Sequence, residues 1–247
     1  MLKTCNCVSL AGANPFDPGI RQTTAVSWNP SGQRDDKMAY IEIRELVKEF
    51  KEIRALDQVS LSFDQGQIHG IIGRNGSGKT VMLKCICGFM KPTSGEILVG
   101  GKKIVPGKRQ AMGIIIEVPG FIDQKSGLKN LEYLYGLNHR LDRDKLKKTM
   151  EKVGLDPENK KPVGKYSLGM RQRLAIAQAI MEEPELLLLD EPMNGLDNKG
   201  VEDIRELLKK LAKEGKTIIL ASHSREDISL LCDTVTELDH GKIILTA

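Results

Sequence analysis

Eight consecutive residues, Gly73, Arg74, Asn75, Gly76, Ser77, Gly78, Lys79 and Thr80, fit the pattern G-x-x-x-x-G-K-[ST]. The glycines let backbone N–H groups curl around phosphate oxygens. A helix beginning here adds the partial positive charge of its N-terminus. Lys79 then reaches the β- and γ-phosphates of a nucleotide, and the Thr80 hydroxyl holds Mg²⁺. A second acidic signal stands 111 positions after Lys79 (190 − 79), where four leucines at 186–189 end in Asp190-Glu191-Pro192. Asp190, at a strand end, can bind Mg²⁺ through water. Glu191, the next residue, points elsewhere and is the candidate general base for an attacking water.

Two further stretches carry weaker chemistry of their own. Tyr166-Ser167-Leu168-Gly169-Met170-Arg171-Gln172-Arg173 opens an amphipathic helix reaching Met181, and a helix start with Ser and Gly is a good anion site. His223 follows an expected strand, in Ala221-Ser222-His223-Ser224. By itself a lone histidine there is a polar residue at an element end, and Asn194-Gly195-Leu196-Asp197 is an ordinary turn and helix cap.

These residues need strand ends and helix starts to hold them. Period-2 alternation over 40–46 and 59–63 predicts strands, with a turn at 64–66 into a strand at 68–72. A helix is expected from about Gly78 to Gly88, and short strands at 96–99 and 113–116. From Leu128 to about Met181 the chain reads as mostly helical, and the apolar run 186–189 suits a strand buried on both faces. A helix at 201–213, a strand at 217–221, a helix at 226–231 and a hairpin around 239–241 follow. Strands alternating with helices predict an α/β fold with a parallel core.

The order of motifs resembles the ATP-binding cassette (ABC) family from Tyr40 onward: phosphate loop, helical insert, Ser-x-Gly-x-x-Gln helix start, Asp-Glu, then a lone His. Family signature loops read Leu-Ser-Gly-Gly-Gln. Here Ser167 and Gly169 are kept, while Leu168 and Met170 replace a Gly and the Gln. Tyr-Ser-Leu-Gly-Met is similar to the loops of a branch of drug, bacitracin and lantibiotic exporters.

The resemblance implies a P-loop NTPase core with a parallel sheet, an antiparallel β subdomain and a helical subdomain inserted at about 126–182, within an ABC ATPase domain over 38–247. It implies a head-to-tail dimer with two ATPs between the subunits. Ser167 and the Gly169 N–H of one subunit would meet the γ-phosphate bound at Lys79 of the other. His223, 33 residues beyond Asp190 (223 − 190), would bond the γ-phosphate and orient Glu191. Phe50, 23 positions before Gly73 (73 − 50), would stack on adenine. Val81 stands where many members have a second Thr, which leaves a backbone N–H contact. Glu117 stands where most members have a glutamine that reaches Mg²⁺ or the attacking water. It is therefore counted both as catalytic and as a metal residue. Phe121, on the loop after it, is the candidate apolar contact with a membrane subunit.

The function so implied is an ATP-binding and ATP-hydrolysing subunit that energises export by a separate membrane subunit. ATP and Mg²⁺ are its cofactors. Its partners are a second ATP-binding subunit, homo- or heterodimeric, and a transmembrane permease that keeps it peripheral on the cytoplasmic face of the cell membrane. The alternative is a soluble ABC-type ATPase not coupled to transport. The presence of Lys79, Asp190, Glu191 and His223 weighs against a module that binds ATP without turning it over.

Composition narrows the classes further. Of the 247 residues, 40% are hydrophobic and 28% charged, which is ordinary for a soluble globular protein. No apolar run approaches the roughly 18–20 residues of a membrane span. The net charge of +4, with signs interspersed, and an aromatic content of 4% argue against nucleic acid as a partner. Five cysteines, Cys5, Cys7, Cys85, Cys87 and Cys232, form neither a disulfide framework nor a zinc knuckle, and read as free thiols. Residues 1–37 show no stable period and are expected to be a poorly ordered extension carrying Trp28, with Met38 opening the patterned chain.

Overall fold

The computed structural model describes residues 39–246 apart from 109, 118 and 119. The expected extension at 1–37 and its boundary at Met38 lie outside the described residues. In chain order the elements are β1 (Ile41–Phe50), β2 (Ile53–Phe63), β3 (Ile68–Ile72), α1 (Lys79–Ile86), β4 (Ser94–Val99), β5 (Lys102–Lys103) and β6 (Met112–Ile115). Then come α2 (Gly127–Gly136), α3 (Arg143–Lys152), a 3-10 turn at Val163–Lys165, α4 (Leu168–Ile180) and β7 (Leu186–Asp190). Last are α5 (Asn198–Lys213), β8 (Thr217–Ser222), α6 (Arg225–Leu231), β9 (Thr234–Asp239) and β10 (Lys242–Thr246).

Two sheets form. One is antiparallel in the order β2-β1-β4-β5, and the other runs β10-β9-β3-β8-β7-β6. In the second, β9, β3, β8, β7 and β6 are parallel and only β10 pairs antiparallel to its neighbour. The chain is thus a P-loop NTPase-type α/β fold, and helices α2 to α4 occupy the sequence between β6 and β7.

Strands β1 and β2 run longer than their alternation suggests. Glu45 and Gln58 adopt left-handed backbone angles, φ 46° and 51°, and the β1–β2 register shifts between Ile43 and Leu46. Each bulge inserts a residue that resets the inward face, so the strand continues while period 2 is broken. Helix α5 starts three residues before the expected 201, because the Asp197 side chain accepts from the Gly200 N–H at 2.9 Å and caps it.

The parallel sheet separates two cores, and alternation along each strand decides which core a side chain enters. Leu187 and Leu189 of β7, with Ile218 and Leu220 of β8, face the core shared with the helices α2 to α6. Leu186, Leu188, Ile219 and Ala221 face the opposite core, with Ile41, Leu46, Leu56 and Phe63 of the antiparallel sheet and Met82, Leu83 and Ile86 of α1. All four β7 leucines are at most 1% exposed. Each such burial is worth about 1.5–3 kcal/mol, so β7 anchors the sheet from both faces. Cys85 and Cys87 are buried free thiols, and burial pushes Cys85 up to about 11. Among the described residues, no helix is long and apolar enough to cross a membrane.

Candidate functional site

Five parallel strands must end at one edge of their sheet. The register levels them there: Ile72 pairs with Ser222, Asp190 with Ala221, and Ile115 with Leu189. The Gly73–Thr80 loop, Asp190-Glu191, Ser222-His223 and Glu117 therefore all leave the sheet at the same edge, where ligands bind in open α/β folds.

The loop from β3 to α1 is shaped by its glycines. Gly78 caps α1 at φ 109°, and no side chain caps the helix. A Cβ on Gly78 would lie 2.6 Å from the Ala55 carbonyl oxygen, so only glycine fits. The first N–H groups of α1 are thus presented to an anion. The buried Ser77 hydroxyl has no hydrogen-bond partner among the described residues, which marks a polar atom waiting for one. Lys79 is buried and donates to the carbonyls of Gly73 at 2.6 Å and Arg74 at 3.3 Å. An ammonium stretched along its own loop could neutralise an anion held there. Asn75, Gly76, Ser77, Gly78, Lys79, Thr80 and Val81 line one cavity of about 240 Å³ with Ala55, Asp190 and Glu191.

The two adjacent carboxylates go to different partners. The Thr80 hydroxyl donates to Asp190 at 2.6 Å. Burial pushes the Asp190 carboxyl above its ordinary value and Glu191 adds to this. The Thr80 bond and the charges of Lys79 and Lys84 pull it back. Glu191 is turned away by a left-handed backbone, φ 49°. Its carboxylate accepts from the His223 N–H at 2.9 Å, from His223 Nδ1 at 2.8 Å and from the Ser222 hydroxyl at 3.2 Å. Nδ1 carries the hydrogen in this pairing, because an ionised carboxylate only accepts. Three donors on about four lone-pair sites leave one direction open for a water.

Other expected residues lie apart from this cluster. Phe50 ends β1, pairs with Ile53 across the hairpin and is 42% exposed; it is not among the residues lining the cavity. The Lys48 ammonium sits 4.8 Å from its ring centroid. Ser167 caps α4 by accepting from the Met170 N–H at 3.2 Å, and neither it nor Gly169 lines the cavity of its own chain. Glu117 forms an ion pair with Lys84 at 2.5 Å. Phe121 is half-buried and packs against the helical core.

The residues 56–194 match the family model described as ABC transporter. That span is more than half of the chain. The chain belongs to the ABC transporter family. It is 40% identical over 205 residues to the uncharacterized ABC transporter ATP-binding protein YybJ of Bacillus subtilis (strain 168), covering 82% of this chain and 94% of that one. It is 39% identical over 208 residues to the bacitracin transport ATP-binding protein BcrA of Enterococcus faecalis, covering 83% of this chain and 68% of that one. Among solved structures, the dimeric MJ0796 bacterial ABC transporter cassette superposes with a TM-score of 0.77 at 27% identity, over 84% of this chain and 97% of that one. This chain is accordingly an ABC ATPase that binds and hydrolyses ATP.

Three neighbours of the ABC site were not singled out from sequence. Ser222 was visible only as the residue before His223. Gln172 stood in the helix motif without a role, and its amide donates to the Pro192 carbonyl at 2.9 Å. Lys84 sits four residues after Thr80 on α1, and that helical spacing is the signal that finds it.

Proposed function

We propose that this ABC ATPase energises export through a separate membrane subunit, acting as a dimer with ATP held between two copies or between this chain and a related one. The observation that carries the site assignment is the Thr80–Asp190 hydrogen bond, which joins positions 110 residues apart at the mouth of the phosphate loop. Similarity to a bacitracin transport ATP-binding protein supports a role in transport. The permease partner would hold the chain at the cytoplasmic face of the membrane.

In this reading the loop N–H groups, the start of α1 and Lys79 neutralise the β- and γ-phosphates. Hydroxyl and carboxylate oxygens suit Mg²⁺, so Thr80 and Asp190 would hold it; when bound it supplies positive charge beside the transferring phosphoryl group. Glu191 takes the proton of the attacking water through the free position on its carboxylate. His223 and Ser222 keep that carboxylate aimed. Ser167 and Gly169 act on the nucleotide of the other subunit, which accounts for their distance from the cavity of their own. Phe50, at the tip of the β1–β2 hairpin, meets the base.

The test is copurification from detergent-solubilised membranes, with ATPase rate read with and without the membrane partner. A polytopic partner that raises the rate is expected. Turnover that is full without any such partner would favour an ATPase uncoupled from transport.

A further inference from the structure

Three carboxylates, not two, stand at the phosphate edge: Asp190, Glu191 and Glu117. Lys79 lies in the phosphate loop, but a second lysine reaches the same edge from α1. Lys84 projects from the helix face below Thr80 and meets Glu117 at 2.5 Å. Its side chain is 24% exposed, whereas that of Glu117 is 67% exposed. The lysine is therefore the fixed partner and the glutamate the one that comes to it. Glu117 arrives from the end of β6 on a left-handed backbone, φ 63°, which an acid rarely adopts.

A solvent-facing ion pair of this kind contributes little to folding. Its consequence lies in charge balance. A carboxylate at position 117 repels nucleotide phosphates unless a cation accompanies it. We propose that Lys84 is the built-in counter-cation of Glu117, a positioning residue that holds this carboxylate off the phosphates and makes a glutamate workable at that position. Lys84 and Glu117 then form one functional unit, in which the carboxylate without its lysine is worse than neither. This rests on the nucleotide site proposed above.

Paired substitutions test it through binding of a fluorescent ATP analogue in EDTA and in excess Mg²⁺, with ATPase rate as a second readout. Lys84→Ala should weaken Mg²⁺-free binding about tenfold, close to 1.4 kcal/mol. Lys84→Met, which keeps the packing of the stem, should do the same. Glu117→Gln in the Lys84→Ala background should restore binding to within about twofold of the unaltered chain, and its rate should depend less on Mg²⁺ concentration. A double variant as weak as Lys84→Ala would show that the lysine acts on its own, and would overturn the inference. Unchanged binding in both Lys84 variants would overturn it equally. Lys79→Ala, measured alongside, separates the two levels. If it too binds normally, the nucleotide site itself is misplaced; if it fails while the Lys84 variants bind normally, only the counter-cation role falls.

Discussion

Gln172 in the second turn of α4 donates its side-chain amide to the carbonyl of Pro192, 2.9 Å away, and the Glu191 carbonyl lies 3.5 Å from the same nitrogen. The helix that begins at Ser167 is thereby tied to the turn that carries Glu191. A Cβ on Gly195 would collide with the Leu168 side chain, so the same helix also presses on the following turn. The first turns of α4 and the turn carrying Glu191 are thus held together within one subunit.

Gln172→Ala should lower kcat about fivefold while leaving KM for ATP within about twofold, because one net hydrogen bond of roughly 1 kcal/mol is lost near the base. Gln172→Glu should be worse, since a carboxylate cannot donate to the carbonyl. Steady-state ATPase assays with a melting curve decide this. Equal loss in both kcat and melting temperature would indicate a packing defect instead.

Glu191→Gln should still bind MgATP and should turn over at least about a hundredfold more slowly, the scale of a lost general base. The variant should accumulate as a dimer in ATP, visible by size-exclusion chromatography. Near-normal turnover would move the base elsewhere.

Thr80→Val should leave Mg²⁺-free nucleotide binding largely intact and raise the Mg²⁺ concentration needed for half-maximal activity. The substitution removes the hydroxyl and leaves Asp190 without its 2.6 Å donor. A Mg²⁺ titration of ATPase rate checks it, and an unshifted midpoint would contradict the metal role.

His69 predicts an acid limit to stability. The buried ring is held by Thr234 at Nδ1, 2.7 Å, and by the Asp64 carbonyl at Nε2, 2.8 Å. Burial lowers its proton affinity below the ordinary value. The unfolded chain takes up this proton near pH 6.5 and the folded chain only at lower pH. Stability is therefore full above about pH 6.5 and falls below it, by up to about 1.4 kcal/mol per pH unit until the folded ring titrates. Urea midpoints between pH 8 and 5 should show the decline, and His69→Gln should flatten it. Parallel slopes would dismiss the assignment.

Contiguity explains which parts of the site could be read from the chain. The phosphate loop is legible because one backbone segment must do the whole task, so Gly73 through Thr80 carry their own geometry. Asp190 and Glu191 are legible because a buried strand ending in acids is a rare text. Lys84 was not, because a lysine on a helix is common and its partner is 33 residues away, just past the end of β6 (117 − 84). The length of β1 was hidden by the bulge at Glu45, which breaks the very period by which a strand is recognised. The strand order likewise depends on pairings such as Ile71 with Ala221, which no local pattern contains.

Two of the site's acids, Glu117 and Glu191, sit at φ 63° and 49°, as do Lys51 and His240 at 51° and 44° in the hairpin turns. A left-handed backbone costs a residue with a side chain about 1–2 kcal/mol, and glycine is relieved of it. A thermostability screen of this protein would therefore reward glycine at 51 and 240, whereas at 191 glycine would forfeit the three hydrogen bonds that the carboxylate accepts and at 117 the ion pair with Lys84. At 51 and 240 the gain would leave turnover alone. At 117 and 191 the strained backbone is kept because the side chains on it hold these contacts, so backbone strain alone is a misleading guide to engineering at those strand ends.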